Sequence, residues 1–332
     1  MFTNKPILVL GSNSFSGSSF INYLLSNGHK VIGISRSEEI IQPFKVYKQN
    51  SNAHNFIFKK LDINLDEDKI ANIVDEYEVE IIFNFIAQSM VEQSWQFPDH
   101  WYKTNVLSLV KLTNSLKNRS TVKKFIQFTT PEVYGSTIGW VKESFNFMPS
   151  TPYAVSRAAG DLHLKCLFEA YKFPVIFTRA ANVYGPGQQL YRIIPKAFLA
   201  ALTGRKLQLQ GGGASMRSFI HIDDVSRGLD LIMEKGTPGS SYHLSTDRVI
   251  SIIDLVKEIA SMTNIPLRDL VEITKERVGK DQAYTLQSTK IRNELDWQDK
   301  ISVEQGLEDV HSWIKSNLEF LSTLPNVYEH KK

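Results

Sequence analysis

Three side chains suited to proton transfer stand in two short segments of this chain. Thr130 and Glu132 lie close together in the segment Thr130–Gly135, and Tyr153 lies in the segment Pro152–Arg157. A carboxylate can remove a proton from a carbon next to a carbonyl group, and a phenol can take the proton of a hydroxyl while a threonine hydroxyl binds the same oxygen. These residue types predict an enzyme that combines oxidation, proton abstraction and elimination.

A glycine-containing turn near the start of the chain is a candidate phosphate site. Residues Gly11–Gly17 follow the apolar run Ile7–Leu10 and precede a helical pattern that runs to about Asn27, with Gly28 as its cap. A turn between a strand and a helix can hold a pyrophosphate on backbone amides. Ser14 replaces the middle glycine of the usual fingerprint, so an ordinary tight turn is the alternative.

The end of the second apolar run bears on the choice of dinucleotide. Ser35-Arg36-Ser37 stands where an acidic residue would bind the ribose hydroxyls of NAD. A cation between two hydroxyls favours a 2′-phosphate, so NADP is preferred over NAD, with a solvated loop arginine as the alternative. Asp62 is a candidate acceptor for the adenine amino group, or else an exposed turn aspartate.

Short apolar runs alternate with amphipathic stretches in the first half of the chain. Such a pattern predicts an α/β fold of Rossmann type, a doubly wound parallel sheet covered on both faces. The runs are Ile7–Leu10, Val31–Ile34, Phe56–Phe58, Ile81–Ile86, Phe125–Phe128 and Val175–Phe177. Glycine and proline pairs break the pattern after Asn182. We therefore predict a dinucleotide-binding domain over residues 1–180, with returning segments near 215–245, and a smaller C-terminal substrate-binding region over 181–330.

Composition excludes several classes of protein. The chain has 332 residues, 42% of them apolar, and a net charge of +3 with scattered cations, so we expect a globular protein without a nucleic-acid partner. Cys166 is the single cysteine, which excludes an internal disulfide and a cysteine-based zinc site, and we predict no metal. No secretory leader or membrane-spanning apolar run is found, so a cytoplasmic protein without a membrane partner is expected. Residues Glu329–Lys332 are predicted to be a frayed tail.

The chain resembles the extended short-chain dehydrogenases/reductases, within their nucleotide-sugar epimerase/dehydratase group. The resemblance covers nearly the whole length and is greatest to the 4,6-dehydratases of the dTDP-glucose and GDP-mannose types. Beyond the glycine turn it rests on the order and spacing of Ala87–Val91, Thr104–Val106, Pro152–Arg157, Asn182–Pro186, Arg217–Asp224 and Arg277–Asp281.

This resemblance implies a role for each reactive residue. Tyr153 would take the proton of the C4 hydroxyl of a nucleotide-diphosphate hexose as hydride passes to the nicotinamide, with Thr130 bound to the same oxygen. Glu132 would remove the C5 proton as water leaves from C6, and the hydride would return to C6. The product would be a 4-keto-6-deoxy nucleotide sugar, and a tightly bound cofactor would be regenerated in each turnover.

Departures from the family pattern keep other functions open. Arg157 replaces the lysine that in relatives binds the nicotinamide ribose and lowers the pKa of the tyrosine, and Pro131 replaces the acid of glucose-type dehydratases, where mannose-type relatives have serine. An epimerase, or a sugar-acid decarboxylase that also uses threonine and glutamate in this motif, is one alternative. A catalytically weakened nucleotide-sugar-binding protein is another.

The resemblance also assigns binding residues. The cofactor residues it implies are Gly11, Ser14, Phe15, Gly17, Arg36, Ser37, Asp62, Ile63, Gln88, Asn105, Tyr153 and Arg157. The substrate residues it implies are Ser89, Glu132, Asn182, Arg192, Gln210, Arg217 and Arg277. Gln210 stands where relatives often have tyrosine and Met90 where they often have histidine, so the nucleobase and the sugar stay open.

Two helical patterns bear on assembly. The patterns near Trp101–Lys117 and Ala154–Tyr171 match helices that pair two subunits in this family, which implies a homodimer. The alternative is that their apolar stripes only cover the sheet.

Overall fold

A parallel sheet of seven strands forms the centre of the computed structural model, which describes residues 5–137, 139–275 and 283–331. In chain order the strands are β1 (Ile7–Leu10), β2 (Val31–Ser35), β3 (Phe56–Lys60), β4 (Ile81–Asn84), β5 (Lys124–Thr129), β6 (Trp140–Val141), β7 (Val175–Ala180), β8 (Asn182–Tyr184), β9 (Leu207–Gln210), β10 (Met216–Arg217), β11 (Phe219–His221), β12 (Ser241–Leu244), β13 (Ile250–Ser251), β14 (Val271–Thr274) and β15 (Ala283–Leu286).

The order across the large sheet is β12-β7-β5-β4-β1-β2-β3, and each neighbouring pair is parallel. All six apolar runs predicted from the sequence contribute strands to this sheet, and the predicted Rossmann-type α/β fold is confirmed. The strand order turns back at β1, which pairs with β2 on one side and β4 on the other. Ligands of open α/β sheets bind at such a point, outside the carboxyl ends of the strands.

Helices cover the sheet and build the region beyond it. They are α1 (Phe15–Ser26), α2 (Glu67–Glu76), α3 (Val91–Gln96), α4 (Pro98–Tyr102), α5 (Leu109–Leu116), α6 (Pro152–Tyr171), α7 (Ile193–Thr203), α8 (Ile222–Lys235), α9 (Ile252–Met262), α10 (Leu267–Leu270), α11 (Thr289–Leu295), α12 (Val303–Ser316) and α13 (Leu318–Thr323). A π-helical turn at Lys103–Ser108 joins α4 to α5, and 3-10 turns lie at Val46–Gln49, Ala53–Asn55, Pro131–Tyr134 and Gly211–Gly213. None of the described helices is long and apolar enough to cross a membrane.

Both faces of the large sheet are buried, which explains why its strands read as continuous apolar runs. One face forms a cluster with α1 and α8 that includes Val9, Phe83, Phe20 and Leu229. The other face forms a cluster with α2, α5 and α6 that includes Leu8, Ile70, Leu112 and Leu164.

A third apolar cluster lies outside the large sheet, among α7, α9 and α12, and includes Phe198, Leu255 and Leu307. Short strands border this region, where β9 pairs with β14, and β10 pairs with β13 and β15. Between these parts the chain returns to the large sheet, because β12 pairs with β7 and α8 packs on its face. The assignment of the region after residue 180 to substrate binding stays a prediction.

Candidate active site

A cavity of about 740 Å³ opens at the carboxyl edge of the large sheet, between it and the third cluster. Most of the residues named from the sequence line its wall. They are Ser14, Phe15, Arg36, Gln88, Ser89, Thr130, Glu132, Tyr153, Arg157, Asn182, Arg192, Gln210 and Arg217. Residues distant in sequence thus meet in one place, with the cations Arg36, Arg157, Arg192 and Arg217 suited to an anionic ligand.

Other predicted binding residues lie behind the wall. Asn105 is buried, and its side chain accepts from the Gln88 amide at 2.9 Å and donates to the Gln88 carbonyl at 3.0 Å. Asn105 therefore fixes the backbone of a wall residue, and its direct contact with a cofactor stays a prediction.

Two further residues predicted to bind the adenosine part of the cofactor, Asp62 and Ser37, form hydrogen bonds within the protein. The Asp62 carboxylate accepts from the Asn64 amide at 2.8 Å, an Asx-turn, and Ile63 beside it is buried. The Ser37 hydroxyl accepts from Asn13 Nδ2 at 3.1 Å. Their cofactor roles are untested predictions, and Arg277 lies outside the described residues.

Thr130 and Glu132 meet in a single turn at the carboxyl end of β5. Thr130 caps the 3-10 turn Pro131–Tyr134, and its hydroxyl accepts from the Glu132 amide at 3.3 Å and donates to Glu132 Oε2 at 2.8 Å. Pro131 occupies the first position of the turn, where its missing N–H leaves no hydrogen bond unmade and its fixed φ suits the geometry. The proline found in place of an acid therefore shapes the turn that carries Glu132.

Tyr153 reaches the cavity from the start of α6. Thr151 caps this helix, accepting from the Ala154 amide at 3.2 Å, and Pro152 is its first residue. Tyr153 lies in the first turn and is only 7% exposed. The helix start thus points the phenol at the carboxyl edge of the sheet.

The charges around Tyr153 act in opposite directions. The pKa of its phenol is raised to about 12, chiefly by burial and also by the negative charge of Glu132. The charges of Arg157 and Arg192, together with a hydrogen bond with Thr130, oppose that rise. Thr130 therefore bonds the carboxylate on the same wall of the cavity as the phenol, and the phenol is protonated at neutral pH in the resting site.

Arg157 ties α6 to the ends of two strands. Its Nη1 donates to the Ile86 carbonyl at 3.3 Å, just beyond β4, and its Nη2 donates to the Phe128 carbonyl in β5. The side chain is only 4% exposed. A lysine ammonium could keep the charge but not the planar fork that reaches two carbonyls.

The glycine turn fits a dinucleotide. Gly11 has φ +83°, and a Cβ added at position 17 would lie 2.4 Å from the Gly11 carbonyl oxygen, so both positions require glycine. The Ser14 hydroxyl folds into the turn, where it donates to the Gly11 carbonyl at 2.7 Å and accepts from the Gly17 amide at 3.0 Å. The side chain that departs from the fingerprint therefore caps α1, and the turn keeps the cradle that a pyrophosphate needs.

Sequence reasoning missed residues that reach the cavity from late in the chain. Tyr328 lines the cavity, with its ring 5.3 Å from that of Tyr191. The prediction that Glu329–Lys332 form a frayed tail was wrong for the described part, because the Lys331 carbonyl accepts from Gln88 Nε2 at 2.8 Å and from Arg36 Nη2 at 3.2 Å. The available signal was the pair of aromatic residues Tyr328 and His330, two positions apart near the end of the chain.

Comparison with known proteins gives the chain a family. The family model described as GDP-mannose 4,6 dehydratase matches residues 8–310. The chain belongs to the GDP-mannose 4,6-dehydratase family. The resemblance to the nucleotide-sugar 4,6-dehydratases drawn from the sequence motifs is thereby confirmed.

Solved structures similar to this chain include a 4,6-dehydratase and a 4-epimerase. The dTDP-glucose 4,6-dehydratase of Streptomyces venezuelae, determined with NAD bound, superimposes with a TM-score of 0.88 at 28% identity, covering 95% of this chain and 98% of that chain. The UDP-glucose 4-epimerase of Thermotoga maritima, determined with UDP-glucose, gives a TM-score of 0.85 at 28% identity, covering 94% of this chain and 99% of that chain.

A curated relative of this family member is the trifunctional UDP-glucose 4,6-dehydratase/UDP-4-keto-6-deoxy-D-glucose 3,5-epimerase/UDP-4-keto-L-rhamnose-reductase of Arabidopsis thaliana. It is 28% identical over 323 residues, which are 95% of this chain and 48% of the relative. The chain therefore spans about half the length of that relative.

Replacing Arg157 should move the pH dependence of activity. A phenolate base gains activity as pH rises towards its pKa, and Arg157→Met removes a charge that lowers the pKa of Tyr153. For Arg157→Met we expect kcat/KM at neutral pH to fall about tenfold or more, and the rising limb of the plot of kcat/KM against pH to move to higher pH. For Arg157→Lys we expect that limb to stay in place, because the charge is kept. Arg119→Met, at a surface pair with Asp75, is the matched control. An unmoved limb in Arg157→Met would show that this charge does not tune Tyr153.

Proposed function

We propose that this chain is a nucleotide-sugar 4,6-dehydratase, which converts a nucleotide-diphosphate hexose into its 4-keto-6-deoxy form. The observation that carries the proposal is the hydrogen bond of the Thr130 hydroxyl to the Glu132 carboxylate, on the same cavity wall as the buried Tyr153 phenol. Oxidation at C4 needs a base for a hydroxyl proton, and elimination across C5 and C6 needs a base for a carbon-bound proton. The cavity offers one group for each.

The proton steps follow from these positions. In the reacting complex Tyr153 acts as its phenolate, a form that the charge of Arg157 favours, and takes the proton of the C4 hydroxyl. Thr130 turns the hydrogen that it donates to Glu132 in the resting site towards the same oxygen. A bound nicotinamide dinucleotide supplies reversible hydride acceptance, which the amino-acid side chains cannot. The C4 ketone makes the C5 proton acidic, and Glu132 removes it as the C6–O bond breaks.

Glu132 is also suited to complete the elimination. Once protonated it can pass that proton to the departing C6 oxygen, which leaves as water, so the carboxylate is restored. Pro131 has no proton to give, and Glu132 is the carboxylate that the turn after β5 places in the cavity. One side chain therefore serves both as base and as acid. The C5–C6 double bond then takes the hydride back at C6 and a proton from solvent at C5, which completes the 4-keto-6-deoxy product.

The proposed cofactor is a nicotinamide dinucleotide, with NADP favoured over NAD. Arg36 and Ser37 follow β2, and the carboxylates that come next pair elsewhere: Glu38 with Lys60, and Glu39 with Lys45. No carboxylate among these is left to bind both ribose hydroxyls, whereas Arg36 suits a 2′-phosphate. The similar Streptomyces venezuelae enzyme was determined with NAD, which makes the preference a direct point of test.

The proposed substrate is a hexose carried on a nucleoside diphosphate. Arg192 begins α7 with its backbone extended, and Arg217 is only 6% exposed, so two guanidinium groups face the cavity from the region beyond the large sheet. Guanidinium groups bind phosphate oxygens in pairs. Asn182 and Gln210 add amide groups for the sugar and the base.

An epimerase is the second candidate, favoured by the likeness to the Thermotoga maritima enzyme. Epimerisation at C4 uses the same phenol and threonine but needs no base for a carbon-bound proton. The Glu132 carboxylate beside Thr130 therefore favours the dehydratase.

Product mass tests the proposed reaction. With thymidine-, guanosine-, cytidine- and uridine-diphosphate hexoses, and with NADP and NAD supplied separately, we expect loss of one water from one of these substrates, faster with NADP. Glu132→Gln should lower that rate by a factor of about a hundred or more, because general-base catalysis is removed. Glu92→Gln, an exposed carboxylate on the same cavity wall, is the matched control and should stay within about twofold.

The outcomes of this test separate the candidates. Unchanged product mass with a new sugar isomer would identify an epimerase. A uridine-diphosphate sugar acid is added to the panel, and loss of carbon dioxide from it would identify a decarboxylase. Binding without any product would mark a nucleotide-sugar-binding protein. A rate with NAD equal to or above that with NADP would contradict the cofactor preference.

We further propose a homodimer, supported by apolar side chains on adjoining helical elements. Leu107 is 53% exposed, and Val155 and Leu162 on α6 are 39% and 43% exposed, two turns apart on one face. An exposed apolar face of this kind typically marks an interface. Sedimentation equilibrium should give a dimer that Leu162→Glu converts to monomer, whereas Leu65→Glu, at an exposed leucine after β3, leaves it intact. A monomeric unmodified chain would contradict the proposal.

A further inference from the structure

The residues after α13 form an extended segment, Pro325–Lys331, which we name the strap. Side chains on one side of it are partly buried and those on the other side are exposed. The partly buried set is Asn326, Tyr328 and His330, and the exposed set is Pro325, Val327, Glu329 and Lys331. A period of two is typical of an extended chain that lies with one face against a surface.

His330 anchors the strap in an aromatic pocket made by α4 and by Phe97, the residue before it. Its ring lies 5.0 Å from that of His100, 5.0 Å from that of Trp101 and 5.2 Å from that of Phe97, nearly parallel to each. His330 Nε2 is also 2.7 Å from His100 Nδ1. Because Trp101 is fully buried, this anchor is part of the packed fold.

The next residue places a backbone oxygen at the candidate dinucleotide site. The Lys331 carbonyl accepts from Gln88 Nε2 at 2.8 Å and from Arg36 Nη2 at 3.2 Å. Arg36 follows β2 and Gln88 comes shortly after β4, and β1 is the strand between these two in the sheet. An oxygen bonded to both side chains therefore lies over the carboxyl end of β1, where the glycine turn begins.

A dinucleotide in this fold crosses the same place. Its pyrophosphate rests on the turn after β1, with the adenosine towards β2 and the nicotinamide towards β4 and β5. Arg36 and Gln88 line this path, so a ligand oxygen bound by both would take the N–H groups that the Lys331 carbonyl already occupies. Two oxygens cannot both lie within hydrogen-bond distance of the same pair of donors at the same point, so the ligand and this carbonyl exclude each other there.

We propose that the strap is an internal competitor of the dinucleotide, which must lift before the cofactor binds. The proposal rests on the dinucleotide site proposed above. The strap carries its own anchor, His330, next to the competing carbonyl, so that release of the aromatic contact frees Arg36 and Gln88 together. The apparent association constant for the cofactor is then the intrinsic constant multiplied by the fraction of chains whose strap is open.

Removing the anchor tests this competition. His330→Ala deletes the stacked ring without altering any residue that lines the cavity, and the loss of such aromatic contacts shifts an equilibrium by roughly three- to tenfold. We expect NAD and NADP to bind this variant about three- to tenfold more tightly, with faster association, by calorimetry and stopped-flow fluorescence in the absence of substrate. Glu329→Ala, on the exposed side of the strap, is the matched control and should bind as the unmodified chain does. A chain ending at residue 324 should bind at least as tightly as His330→Ala.

Cofactor binding is measured without substrate, so a failure of this inference can be told apart from a failure of the proposed reaction. If the unmodified chain binds a dinucleotide and His330→Ala binds it equally or more weakly, the strap does not compete and this inference is overturned while the dehydratase proposal stands. If none of the four chains binds NAD or NADP, the dinucleotide site itself is wrong and both proposals fall.

Discussion

The position of the reactive groups depends on how β5 and α6 are held together. β5 is paired on both sides, with β4 and β7, so the turn that carries Thr130 and Glu132 starts from a fixed strand end. α6 is joined to β7 by the ion pair of Asp161 and Arg179, 2.8 Å apart and fully buried. Removal of one partner from a buried pair of this kind leaves an uncompensated charge and costs about 3–5 kcal/mol.

The surroundings of that ion pair explain how a charge is kept inside the fold. The Arg179 guanidinium lies 5.5 Å from the Tyr134 ring centre and 5.0 Å from that of Phe147, so aromatic faces replace part of its hydration. The Tyr134 hydroxyl lies 2.9 Å from His243 Nε2, and burial lowers the pKa of His243 to about 3, so this imidazole stays neutral at physiological pH. Arg157 lies one helical turn before Asp161, and its hydrogen bonds to the Ile86 and Phe128 carbonyls join α6 to the strand ends beside the cavity.

Much of this arrangement could be predicted from the sequence, because it depends on local patterns. Apolar runs predicted six strands of the large sheet, and the glycine turn predicted the start of α1. Gly28, with φ +80°, follows the C-cap of that helix, Asn27. The roles of Ser14 and Pro131 could not be predicted, since both residues depart from the expected motif and act through hydrogen bonds or backbone geometry that form only in the folded turn. The end of the strap, from Glu329, was predicted to be frayed because the residues that anchor it, His100 and Trp101, are more than two hundred residues away in sequence.

The central claim is that Glu132 removes a carbon-bound proton during an elimination, and solvent isotope labelling tests it most directly. The reaction is run in deuterium oxide with the substrate that loses water, and the product is examined by mass spectrometry and proton NMR. We expect the product to have lost one water and to carry one deuterium at C5, because the proton taken from C5 leaves in that water and the hydrogen that later adds to C5 comes from solvent. We expect Glu132→Gln to stop both the loss of water and the labelling. A product without deuterium at C5, or full labelling in Glu132→Gln, would contradict the account.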